Sequence, residues 1–132
     1  MKALIAIAAA GLAGTVAFAA GVHRDADPER RLATALEGRV AEPPVACVMS
    51  RQLRGNTPID ESTILFQGIG GRVYVNRTRN ACAGLRSWHA LRSRRLGTSL
   101  CEGDLVVAFD PTSGVERGGC TLGEFEPYRR AS

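Results

Sequence analysis

The chain has 132 residues, with 17 basic against 13 acidic side chains, a formal net charge of +4 and 45% hydrophobic residues. That length is room for one domain, with a core modest enough for covalent cross-links to matter. So small a positive excess is weak evidence for an anionic partner, and the absence of internal repeats or low-complexity tracts excludes the repeat architectures.

Met1 and Lys2 form a short positive start, and from Ala3 to Ala20 no residue is charged. These are the n-region and h-region of a secretory signal. Ala17-Phe18-Ala19 offers small residues where a signal peptidase reads them, so cleavage is expected after Ala19 and residues 1–19 are assigned to the signal. An uncleaved anchor is disfavoured because the stretch is near the lower limit for a span and rich in Ala and Gly, which drive insertion weakly. The mature protein is therefore expected to be periplasmic or secreted, with no membrane span and no lipid on a cysteine at the cut.

Residues 20–44 read as a short helix followed by a Pro linker. The helix is placed between Arg24 and Gly38: Asp27 caps it, Pro28 suits its first turn, Glu29 favours its positive end and Gly38 lets the chain leave. Leu32 and Leu36 share one face with Ala33 and Ala35 beside it, a stripe too narrow for a core of its own. Pro43-Pro44 then forces extended chain.

Residues 45–127 read as a disulfide-bonded, β-rich domain. Val45 to Leu53 is the first expected strand. Ser62 to Ile69 and Arg72 to Thr78 flank a Gly-rich turn and predict a hairpin. In its second arm Val73 and Val75 alternate with Arg72, Tyr74 and Asn76, a half-buried pattern. Ala81 to Arg95 has no clean period and predicts a turn or short helix, then an irregular strand. Leu105 to Phe109 is a buried strand. Asp110, Pro111 and Gly114 then mark a turn, and the chain returns through Gly118 to Leu122. The expected fold is mainly β with one helix: a small curled antiparallel sheet or barrel, the helix across one opening. Residues 128–132 are expected to fray.

Cys47, Cys82, Cys101 and Cys120 all follow the signal, and an even number of cysteines in an exported chain reads as disulfides. Zinc is disfavoured because no pair has C-x2-C or C-x4-C spacing and the domain holds one histidine, His89. Of the three pairings possible, Cys47 with Cys120 and Cys82 with Cys101 is preferred, tying the first strand to the last and clipping the central loop. No cofactor is expected.

Charge is segregated along the chain. Arg72 to Arg95 holds seven Arg and no acid, whereas Leu96 to Pro127 holds six acids and one Arg. Neighbouring strands pairing opposite charges would account for this. The alternative is a basic face, formed by Arg72, Arg77, Arg79, Arg86, Arg92, Arg94 and Arg95 with Trp88, for an envelope protein or an anionic glycan or lipid. Nucleic acid is an unlikely partner, since Tyr74 and Trp88 are the only aromatics nearby and the chain is exported.

Several segments together carry a resemblance: Ile64-Leu65-Phe66, Gly71-Arg72-Val73-Tyr74-Val75-Asn76, Cys82-Ala83-Gly84-Leu85, Leu100-Cys101-Glu102-Gly103-Asp104 and Cys120-Thr121-Leu122-Gly123-Glu124-Phe125. Spaced as they are, they resemble a family of uncharacterised Gram-negative exported proteins with TILF, G-x-x-Y-x-N, C-P-G-L, L-C-x-x-D and C-x-L-G-x-F-x-P patterns. Ala83 stands where that family has Pro. The resemblance covers most of the mature chain and implies an exported disulfide-containing domain; it supplies no mechanism.

Catalytic groups are few, and no catalytic residue is assigned. His23 lies beside the cleavage site and His89 among arginines, and no Gly-x-Ser-x-Gly elbow supports a serine nucleophile. Asp60, Glu61, Glu102 and Asp104 are the only candidates for paired carboxylates, and turn chemistry explains their placement. The glycines around Ile69 lack the Lys-Ser/Thr ending of a phosphate loop. Asn76-Arg77-Thr78 matches a glycosylation acceptor and reads as a strand end. A non-catalytic binding domain is therefore expected. The alternatives are an enzyme acting on cell-wall glycan or peptide, and an inhibitor of a hydrolase such as lysozyme presenting Glu102 or Asp104.

Overall fold

The computed structural model describes Gly11, Gly14 and residues 27–94 and 97–132. Apart from Gly11 and Gly14, the expected signal with its cleavage site, and Arg95, lie outside the described residues.

The one α-helix among the described residues, α1 (Pro28–Leu36), begins as the sequence dictates, with the Asp27 carboxylate accepting the Glu29 N–H at 3.2 Å and Pro28 in its first turn. Ten strands follow: β1 (Arg39–Ala41), β2 (Cys47–Met49), β3 (Leu53–Asp60), β4 (Thr63–Gly68), β5 (Val73–Arg77), β6 (Ala90–Ser93), β7 (Ser99–Cys101), β8 (Leu105–Phe109), β9 (Glu116–Thr121) and β10 (Phe125–Arg130). They form a five-stranded antiparallel sheet in the order β1, β10, β5, β4, β3, a three-stranded sheet β6, β8, β9, and the two-stranded pair β2 with β7. The fold is mainly β, and the sheets do not close into a barrel.

Both faces of the large sheet are covered, which is why β4 buries Ile64, Leu65 and Phe66 in succession. On one face Ile64, Phe66, Tyr74 and Phe125 meet Val48, Leu85, Val106, Ala108 and Leu122 from the smaller sheets and loops to make the main core. Phe125 is fully buried, with the rings of Phe66 and Tyr74 standing edge-on at 5.4 and 6.3 Å. On the other face Ile59, Leu65, Val73 and Val75 receive Leu32, Ala35 and Leu36 of α1 together with Tyr128. The helix therefore lies on the outer face of the sheet and not across a barrel opening.

Four further expectations are corrected. Strand β5 is not half-buried: Tyr74 and Asn76 are as buried as Val73 and Val75, because both faces of its sheet are covered. The first strand is cut short: after Met49 the chain makes a 3-10 turn at Ser50–Gln52 and sets out again as the edge strand β3. Residues 128–130 do not fray, because Tyr128 to Arg130 pair with Ala41 to Arg39 of β1, inside the segment expected to be a linker. The cysteines pair Cys47 with Cys101 and Cys82 with Cys120. The preferred pairing fails because β2 neighbours β7, putting Cys47 directly opposite Cys101, while Cys120 lies on β9 beside β8 and meets Cys82 of the loop after β5.

Candidate functional site

Each arginine of the expected basic face that the structure describes has an internal partner. Arg72 meets Glu42 at 3.1 Å, Arg77 meets Glu126 at 3.7 Å, Arg79 meets Glu102 at 2.9 Å, Arg86 meets Glu61 at 3.4 Å and Arg94 meets Glu116 at 2.9 Å. Arg92 lays its guanidinium 4.6 Å from the centre of the Phe109 ring. Arg77 and Glu126 belong to the adjacent strands β5 and β10, and Glu102, Glu116 and Glu126 come from the acidic segment Leu96–Pro127. These exposed pairs add little stability each. Their consequence is that the positive residues do not present a continuous uncompensated field.

The candidate carboxylates are bound into turns. The Asp60 carboxylate accepts the Ser62 N–H at 2.8 Å, closing the β3–β4 connection. Glu61 accepts from the Gly84 N–H at 3.2 Å and from Arg86. Asp104 is buried and accepts the Cys101 N–H at 2.8 Å, and Glu102 is held by Arg79. Asn76 is fully buried, its amide exchanging two hydrogen bonds with the backbone of Gly123 at 2.8 and 2.9 Å.

One corner stands apart. The loop from Cys82 to His89 is pinned at its base: Cys82 is disulfide-bonded, its N–H donates to the Glu61 carbonyl at 2.7 Å, and Leu85 is 1% exposed in the core. The tip is a closed turn in which the Arg86 N–H donates to His89 Nδ1 at 2.9 Å and the His89 N–H returns to the Arg86 carbonyl at 3.0 Å. His89 is thus a buried structural group of the turn. Its neighbour Trp88, the only tryptophan of the chain, is 58% exposed. A side chain that would ordinarily supply more core area than any other is held in water by a hydrogen-bonded turn.

Beside Trp88 lies a cleft of about 220 Å³. Ile59, Asp60 and Glu61 from the end of β3 form one wall, Leu85, Arg86 and Ser87 another, and Pro28 and Arg31 of α1 a third. Arg31 is fixed there by donating to the carbonyls of Ile59 and Pro58 at 3.0 and 2.9 Å. Sequence reasoning named Trp88 and Arg86 but missed Arg31 and Pro28. Those two reach the cleft only because α1 lies over β3, which no local pattern announces.

Among the described residues no group of three or more His, Cys, Asp or Glu side chains could hold a metal, and no helix is long and apolar enough to cross a membrane. Comparison with family models, with curated proteins and with solved structures finds no match.

Proposed function

We propose that the chain is an exported, non-catalytic binding domain of the bacterial envelope, periplasmic or secreted, and that it binds through the corner around Trp88. The observation that carries this reading is the exposed Trp88 held by a hydrogen-bonded turn beside a walled cleft. Exposed aromatic anchors next to concavities dominate binding energetics, and an exported chain with two disulfides suits a compartment where partners are envelope components.

The broader Arg-rich face, for an acidic protein or an anionic glycan or lipid, is the weaker form of the same reading, because its charges are matched internally. Hydrolase inhibition by an inserted acid is weaker still, since Asp104 is buried and Glu102 is engaged by Arg79. Cell-wall hydrolysis is the weaker reading, since Asp104 is buried and Asp60, Glu61 and Glu102 each hold a backbone N–H or an arginine through one carboxylate oxygen.

The test is a pull-down from envelope extract with three forms of the protein. Trp88→Ala should lose the captured material, whereas the combined Arg79→Ser, Arg92→Ser and Arg94→Ser variant should retain it. Retention by the tryptophan variant together with loss by the arginine variant would move the binding surface to the basic face.

A further inference from the structure

We infer that the cleft beside Trp88 is a subsite for a neutral pyranose sugar, an inference that rests on the binding reading above and names its ligand class. The argument begins with charge. The cleft is lined by two arginines, Arg31 and Arg86, and two carboxylates, Asp60 and Glu61, and every other lining residue is uncharged. An anionic ligand would face both carboxylates and a cationic one both guanidiniums, while a purely apolar ligand would strip water from four charged groups without replacing it. The matched ligand is uncharged and rich in hydroxyls.

Acceptors and donors are placed for such a ligand. Asp60 uses one carboxylate oxygen on the Ser62 N–H, and Glu61 uses one on Gly84 and Arg86, so each keeps a second oxygen able to accept from sugar hydroxyls. Arg86, which Glu61 engages through one nitrogen, and Ser87 also line the cleft and supply donors. The exposed ring of Trp88 offers an apolar platform whose electron-rich face suits the C–H face of a pyranose. At about 220 Å³ the cleft is smaller than the roughly 300–1,000 Å³ typical of drug-sized ligands and fits a single ring of a longer glycan.

A peptide is the obvious competitor, because β3 is an edge strand and peptides bind edges by continuing the sheet. That route is closed at the cleft. The carbonyls of Pro58 and Ile59 are taken by the Arg31 guanidinium, and Pro58 has no N–H to offer.

Because the chain has a single tryptophan, its fluorescence reports this site alone. Chitotriose, maltotriose, trigalacturonate and trialanine are titrated into the purified protein, with calorimetry on Trp88→Ala, Glu61→Ala and, as a control away from the cleft, Arg117→Ser. The expected result is a saturable emission change with a neutral trisaccharide, at least about tenfold weaker binding in the first two variants, and unchanged binding in the third. Circular dichroism verifies that the variants fold. No response to either neutral trisaccharide, or saccharide binding indifferent to both Trp88→Ala and Glu61→Ala, overturns the inference. A response confined to trialanine or trigalacturonate overturns the sugar assignment while leaving the Trp88 corner as a binding surface. Capture of envelope material that survives Trp88→Ala removes that surface itself.

Discussion

Asn76 shows how much a single polar side chain can organise. It lies on β5, fully buried, and satisfies both the N–H and the carbonyl of Gly123, the residue that leads into β10. Gly123 must be glycine, because a Cβ there would run into the carbonyl oxygen of Arg77. Asn76→Ala would strand two buried backbone groups and is expected to cost about 3 kcal/mol, read as a shift in the denaturant midpoint with unchanged slope. At this scale the sequence was legible where residue chemistry is local, as with the Asp27 cap and the Asp110 turn. It was not legible where a partner lies far along the chain: the Asn76–Gly123 contact spans 47 positions, and the disulfide partners are set by which strands neighbour one another.

Among the elements, those with a strong period were readable and those held by context were not. The β4–β5 hairpin follows from an apolar run, an alternating run and the turn between them, where Gly70 and Gly71 both take positive φ near 70° (67° and 72°). Strand β3 was missed because Gly55, Asn56 and Pro58 are poor strand formers; an edge position tolerates them, and Arg31 of α1 takes two of its outward carbonyls. Strand β1 is only three residues long and exists because β10 offers it a ladder. The β8–β9 connection has a pH dependence of its own. The Thr112 and Ser113 N–H groups donate to Asp110, and these hydrogen bonds hold its carboxyl below the ordinary value of 3.8. A depressed folded-state pKa contributes stability above the unfolded value and loses it as pH falls through the folded one. Asp110→Asn keeps an acceptor without a charge. The wild type should therefore be more stable than this variant at neutral pH, with the gap closing below about pH 4, as thermal melts across a pH series would record.

For the molecule as a whole, covalent and electrostatic resources are both turned inward. The two disulfides cross-link β2 to β7 and the Cys82 loop to β9, each closing a long loop around the main core. Five carboxylates occupy five of the arginines that the sequence sets apart from them. Turned outward is the Trp88 corner, built where α1, the end of β3 and the Cys82–His89 loop converge. Hydroxyl-radical footprinting of the protein with and without soluble envelope extract tests that division of the surface directly. Protection of Trp88 and Pro28, with Phe109 beneath Arg92 and Met49 unchanged, is the predicted pattern. Protection centred on Phe109, with Trp88 as reactive in extract as in buffer, would contradict it.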